Sequence, residues 1–389
     1  MIQLGVLFTH KHRLLSMAAI LDVFETVNRQ HLEKGLAKIF DINTVSRFIL
    51  AGTIFLILCY FLTKLKMSKI SSNRSNYVVA KYKAYSYVLI IGVTILWSSI
   101  ASQLGAGFSD YTIDILIFSP AIILSLCVYT VWIDRYIVEP KDEYYYFGIY
   151  LSQGNLKKIF ENKLFILSIL LKAQFLPFMY VITLGGIERI LYIDNYFSLK
   201  NISMNLFILG IMFDVLIAFC GYFFTSKVFG HKIIDVDKNL LGWIFCLMCY
   251  PPFYILLQEA YSIFEHPVPR NWIDHSELFN GVIMLIQGIS WFIYWWATLE
   301  FGLKFSNLTW RGLVDTGPYK YFRHPAYLFK NLYWWLSLIP ILFIAVPEQR
   351  FKLFFGLFLV SFVYYCRAKC EEKHLKQFPE YKKYLEKFQ

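Results

Sequence analysis

Apolar runs close to twenty residues long recur along the chain, separated by short charged segments. They fall at about 47–63, 84–104, 112–133, 163–184, 204–224, 240–258, 278–299, 328–346 and 351–366. A run of that length suits a helix crossing the hydrocarbon core of a bilayer. The pattern therefore predicts an all-α, polytopic integral membrane protein with about nine transmembrane helices. The last run is short and fits equally a hairpin that dips in and returns. Ahead of the first run, Leu21, Phe24, Val27, Leu32, Leu36 and Ile39 alternate with charged residues over 14–40. That reads as one or two non-spanning amphipathic helices, or equally as a plain soluble lead-in. Met1–Phe8 is apolar but too short for a secretory signal, and no basic leader precedes it.

Interruptions in the pattern matter as much as the runs. Pro251-Pro252 should break or kink the sixth run, since neither residue supplies an N–H to a helix. The freed carbonyls must then face protein or a cavity. Lys172 and Asp214 are ionisable residues inside apolar runs, where they are costly. A pair between them across adjacent helices is the preferred reading, a polar lining for a lipid head group the other. Around 260–277, His266-Pro267-Val268-Pro269 and several charges break the apolar pattern and suggest a boundary. The expected organisation is an N-terminal segment at 1–46, a membrane domain of about six helices at 47–277, and a C-terminal domain at 278–389.

Composition supports the membrane reading. The chain is 57% apolar, 19% aromatic and 17% charged, where soluble domains carry about a quarter charged residues. The net charge of +11 needs no nucleic acid to explain it, and no arginine-rich arm or aromatic RNA-binding signature is present. Lys and Arg gather instead in alternate loops: 64–83, 134–163, 225–239, 300–327 and the tail 367–389. Such loops face the cytoplasm. Nine spans would leave the N-terminus outside although residues 1–47 hold six Lys and Arg, a conflict that a divided or reentrant span would remove. Of seven cysteines, five lie inside apolar runs, which is no disulfide framework. Cys246-x-x-Cys249 has metal-like spacing without histidines, and buried thiols are ordinarily small apolar residues.

The chemistry concentrates in Gly317-Pro318-Tyr319-Lys320-Tyr321-Phe322-Arg323-His324-Pro325-Ala326-Tyr327. Gly317-Pro318 signals a turn. Pro325 keeps His324 extended and suits the first position of a helix. Arg323 and His324 then stand beside a helix N-terminus, a place for a carboxylate or phosphate. A second block reads Arg367, Glu371-Glu372, Leu375, Phe378, Tyr381 and Tyr384. Arg367 and Glu371 stand four apart and could pair as exposed groups on one helix face. Tyr381, Tyr384, Leu385 and Phe388 make an apolar stripe opposite lysines, which reads first as a helix lying on the membrane surface. His374 near Glu371 is too little for a metal site, and none is expected.

Together the two blocks resemble the signature of isoprenylcysteine carboxyl methyltransferases and their phospholipid-methylating relatives, over roughly residues 278–389. The resemblance implies an integral membrane methyltransferase that uses S-adenosylmethionine, with both blocks binding it: Gly317, Tyr319, Arg323, His324, Pro325 and Tyr327 from the first, Glu371 and Glu372 from the second. The loop 301–308 matches only loosely, with a single glycine at Gly302. Arg323, His324 and the helix start suit the cofactor's carboxylate. The glutamates suit its ammonium or ribose hydroxyls. Arg367 and Glu371 are the expected catalytic pair, positioning an anionic acceptor or deprotonating an amine. The acceptor would be a membrane lipid or lipidated substrate, reached at the cytoplasmic interface through an entrance near Trp295, Trp296, Tyr333, Trp334 and Trp335, unless those rings serve only as interfacial anchors. Two other classes compete. Sterol reductases share an Arg-His-Pro block and use NADPH, but usually continue with Asn where Ala326 stands. A transporter or receptor that had lost catalysis would be expected to lack part of the site.

Overall fold

The computed structural model describes residues 42–64, 77–134, 139–191, 202–223, 232–257, 277–344 and 346–388. The expected amphipathic segment at 14–40 and the boundary at 260–277 lie outside the described residues. The described chain is helical almost throughout. In order run α1 (Ile42–Lys64), α2 (Tyr77–Gln103), α3 (Ser109–Ile133), α4 (Glu143–Ser152), α5 (Leu156–Glu161), α6 (Lys163–Leu191) and α7 (Ile202–Phe223). Strand β1 (Asp235–Val236) precedes α8 (Leu240–Leu247), which is followed by α9 (Glu277–Phe301) and strand β2 (Thr309–Trp310). The chain closes with α10 (Pro325–Ile344), α11 (Pro347–Leu375) and α12 (Pro379–Glu386).

Among the described residues, five helical stretches are long and apolar enough to cross a membrane: Tyr77–Gln103, Ser109–Trp132, Lys163–Leu191, Gly281–Lys304 and Pro347–Leu375. This is fewer than the nine expected. The sixth run, 240–258, is not one helix. Helix α8 stops after Leu247, and the chain turns through Pro251-Pro252 into a short 3-10 segment, Phe253–Leu256. The freed Pro251 carbonyl accepts a hydrogen bond from Gln174 Nε2 at 2.7 Å, the internal partner that a broken helix requires. The final run differs in the opposite sense. Helix α11 is 29 residues long, and carries the apolar run and the second motif block on one rigid element.

Helix α6 is the centre of the N-terminal half, where α1, α2, α3 and α7 all pack against it. Of its most apolar stretch 67% is buried, against 6% for α3. The outer face of α3, with Leu116, Ile117, Leu124 and Val128, is left for lipid. A core of Leu171, Phe175, Leu176 and Met179 from α6 meets Tyr111 and Ile115 from α3 and Tyr222 from α7. The pair Lys172–Asp214 does not form. Lys172 donates to the Tyr144 hydroxyl at 2.7 Å, and Asp214 accepts from the Tyr294 hydroxyl. Each found a phenol on a nearer element, which meets the need for a partner without joining two charges.

In the C-terminal half, α10 packs between α9 and α11. Trp334 and Leu338 of α10 interlock with Leu357, Val360 and Tyr364 of α11. The halves are tied together. Strand β1 pairs antiparallel with β2, with Asp235 opposite Trp310 and Val236 opposite Thr309, and α8 packs on α11.

Candidate active site

Helix α10 begins at Pro325, as the proline spacing predicts. The chain enters it through a 3-10 turn at Gly317–Lys320. Gly317 has φ +55°, and a Cβ there would meet the Glu300 side chain at about 2.5 Å, so glycine is required twice over. Glu300 itself accepts a hydrogen bond from Thr316 Oγ1 at 2.5 Å, tying the turn to the end of α9. Tyr319 is buried, with its ring edge-on to Phe301 at 5.0 Å. Burial holds the Tyr319 hydroxyl well above its ordinary pKa, so it is a neutral phenol.

The expected surface helix folds back instead. In α12, Tyr381, Tyr384 and Leu385 are buried against Trp310 and Leu375. The Tyr384 hydroxyl donates to the carbonyls of Tyr319, at 2.8 Å, and Phe322, at 3.2 Å. Its pKa is pushed up to about 12 by burial, which keeps that donor protonated at neutral pH. Arg323 also turns to this element, donating to the Phe388 carbonyl at 3.1 Å with its guanidinium over the Phe388 ring. The stripe thus clamps the motif turn, because its apolar face found β2 and α11 before any lipid. Tyr384→Phe should lower stability by about 1 kcal/mol, the net worth of a buried hydrogen bond. Denaturant unfolding of the detergent-solubilised protein measures it.

The two blocks meet through side chains. His324 Nε2 lies 3.2 Å from Glu372 Oε1, and the His324 ring stacks parallel on Tyr327 with centroids 5.6 Å apart. The Tyr327 hydroxyl donates to Glu371 Oε2 at 2.9 Å. Glu372 is buried and also within 4.0 Å of Lys369 and Lys376, so its carboxylate serves chiefly to hold His324. Glu371 is half-buried and meets only the tyrosine among these groups. His374, one turn on, faces Asp235 and Asp237 rather than the motif, at 3.9 and 3.8 Å.

Arg367 does not form the exposed pair with Glu371 considered above. It is buried, donates to Asn307 Oδ1 at 2.5 Å, and lies over the rings of Tyr327, Tyr250 and Tyr364 at 5.0, 5.5 and 5.8 Å. A second cation stands on the other side of this cluster. Lys330 lies over Trp334, Tyr294 and Tyr364 at 5.2, 5.5 and 5.9 Å. Sequence reasoning missed Asn307, Tyr250 and Lys330. Asn307 sits in the loosely matching loop 301–308, and Tyr250 stands just before Pro251-Pro252, where the broken run was the only signal. Of the expected entrance, Trp334 is buried, Trp335 donates to Ser361 Oγ at 3.0 Å, and Trp296 is exposed and donates to Glu300 Oε1 at 2.9 Å.

The arrangement gathers a helix N-terminus, an imidazole, a carboxylate with spare acceptor capacity, one buried cation, Arg367, and one half-buried cation, Lys330, within one aromatic wall. Residues 282–377 match the model of the isoprenylcysteine carboxyl methyltransferase (ICMT) family. The match starts within α9, ends just past α11, and takes in the first block and the second as far as Leu375. No curated protein and no solved structure matches the chain. The ICMT match and the long apolar helices point together to an integral membrane methyltransferase.

Proposed function

We propose that this protein is an S-adenosylmethionine-dependent methyltransferase acting on a lipid or lipid-linked acceptor at the cytoplasmic membrane interface, with residues 278–389 as its catalytic domain. The observation that carries the reading is the convergence of His324 and Tyr327, at the start of α10, on Glu371 and Glu372 of α11, beside Arg367.

The donor set fits the cofactor. First-turn N–H groups of α10, with Arg323 and His324, complement a carboxylate. Glu371 complements an ammonium or ribose hydroxyls, and Tyr319 and Tyr327 offer aromatic walls, with Gly317 and Pro325 fixing the turn and the helix start. When bound, S-adenosylmethionine supplies a methyl group on a sulfonium. Arg367 orients the acceptor, and the rings of Tyr250, Tyr327 and Tyr364 keep water from it. An ionised carboxylate or phosphate needs no base. An amine would first have to lose a proton, for which Glu371 is the available acceptor. Arg367 and Lys330, flanking Tyr364, favour the anionic acceptor. The clustering of Lys and Arg in alternate loops supports the cytoplasmic placement.

Calorimetry on the purified protein with S-adenosylmethionine and with NADPH, side by side, tests the class. Heat is expected from the first alone, and Glu371→Gln should weaken it at least tenfold, since a hydrogen bond to a charged group is worth about 1.5–3 kcal/mol. Binding of NADPH in its place would overturn the reading in favour of a reductase.

A further inference from the structure

Helices α4 and α5 form an elbow between the spans α3 and α6. Its inner face is fixed. Gly148 of α4 is buried, and a Cβ there would run into the Tyr82 carbonyl oxygen, so α4 lies directly on the α2 backbone. Phe147 meets Phe165 of α6 with ring centroids 4.5 Å apart, and Ile159 of α5 packs on the same cluster. Each helix carries its own cap. Asp142 accepts from Tyr145 N at 3.2 Å, and Asn155 accepts from Lys158 N at 3.1 Å. Gly154, at φ +63°, makes the bend between them.

The outer face is left open. Leu156 and Phe160, one turn apart on α5, are 65% and 68% exposed. Lys157, Lys158 and Lys163 stand around them, all exposed. Among the described residues no carboxylate pairs with any of these three lysines. Two more exposed lysines flank α4: Lys81 on α2, and Lys141, which lies over the Tyr145 ring at 5.7 Å. The carboxylates of this region divide into two groups. Asp134 and Asp142 share Lys83, at 2.8 and 3.2 Å, and Glu143 pairs with Lys232. Glu139 and Glu161 are exposed. The outer surface therefore shows five lysines against two carboxylates, around two large apolar side chains.

Position says what such a face meets. Phe160 stands three residues before Lys163, where the span α6 begins, so α5 lies at the level of the head groups. The Glu143–Lys232 pair ties α4 to the segment entering β1, and β1 pairs with β2. The elbow is thus on the same side of the molecule as the motif turn. An apolar pair ringed by lysines suits the boundary between acyl chains and phosphates. A second copy of the chain docked here by two-fold symmetry would set lysines against lysines, which is costly.

We propose that the outer face of the elbow docks acidic phospholipids of the adjoining leaflet. Leu156 and Phe160 enter the acyl boundary, and Lys157, Lys158 and Lys163 hold the phosphate groups. This surface is separate from the methyl-transfer site and does not depend on that assignment.

Photolabelling of the full chain in phosphatidylcholine nanodiscs tests the proposal. The discs carry a trace of photoactivatable phosphatidylglycerol or, in parallel, of photoactivatable phosphatidylcholine, each with the reactive group on its head, and labelled peptides are mapped by mass spectrometry. Residues 155–163 should be labelled at least tenfold more by the phosphatidylglycerol, with an excess that shrinks as salt is raised. Lys157→Gln, Lys158→Gln and Lys163→Gln should each lower that excess, by up to about fivefold per lysine, and together abolish it. The three Lys→Arg replacements should keep it. Phe160→Ser should reduce labelling of this peptide by both lipids. All these side chains are exposed, so thermal unfolding should match the parent's. Equal labelling by the two lipids, an excess indifferent to the three glutamines, or parent-like labelling of Phe160→Ser would overturn the proposal. So would a dimer in detergent that Phe160→Ser dissociates, which would assign the face to a second copy.

Discussion

Arg367→Lys should cut turnover about a hundredfold while leaving affinity for S-adenosylmethionine within a few fold of the parent. The guanidinium is buried, gives one arm to Asn307 at 2.5 Å and spreads its plane over Tyr327, Tyr250 and Tyr364. A lysine keeps the charge but is a compact point on a flexible stem, without the planar fork that can hold Asn307 and an acceptor oxygen together. Losing one such oriented, charge-assisted contact in a site shielded from water corresponds to roughly 2.7–4 kcal/mol where donors of this kind have been removed from active sites. The charge is retained, so no buried partner is left uncompensated, and the fold should survive. Turnover and cofactor affinity are measured on the same preparation, with thermal unfolding as the check. Parent-like turnover would remove Arg367 from the chemistry. An equal fall in cofactor affinity would move it to the donor's site.

Legibility differed between the backbone and the side chains. Pro325 announced the start of α10, a local effect of sequence on one turn, and the spacing of Arg367 and Glu371 announced a helix, though not that it continues the apolar run before it. The contact between His324 and Glu372, 48 residues apart, was not legible: the shared signature put both residues at one cofactor site without pairing them. The number of spans was less legible. The break of 240–258 at Pro251-Pro252 could be read from the prolines, but hydropathy counts apolar residues and does not see that α6 is buried by protein while α3 is left almost uncovered. Partner choice was hidden for the same reason. Lys172 and Asp214 look like mates on neighbouring helices, but Tyr144 and Tyr294 lie nearer, and a phenol announces nothing in a chain with 28 tyrosines. The stripe on α12 was correctly apolar and wrongly placed, since periodicity gives a face and not what covers it. Asn307 had no signal beyond its place in a loop, yet it connects α7, through Tyr222, to Arg367 on α11.

His324→Ala and Glu372→Gln should each weaken S-adenosylmethionine binding by tenfold or more, and the double variant should bind about as poorly as either single one. The imidazole and the carboxylate are in contact at 3.2 Å, with the imidazole stacked on Tyr327, whose hydroxyl in turn reaches Glu371. In this arrangement Glu372 acts through His324. Removing the carboxylate frees the ring, the ring no longer braces Tyr327, and the proposed cofactor groups on α10 and α11 lose their common register. A hydrogen bond to a charged group carries about 1.5–3 kcal/mol, which sets the expected size of each single loss. A joint that works as a unit gives a coupling energy of similar magnitude, because the second substitution has nothing left to break. Two residues that instead held separate parts of the cofactor would give losses that multiply. The cycle is run by calorimetry on four proteins of matched thermal stability. Additive free energies would show that the blocks bind independently, and would transfer the role of joining α10 to α11 from His324 and Glu372 to Tyr327 and Glu371.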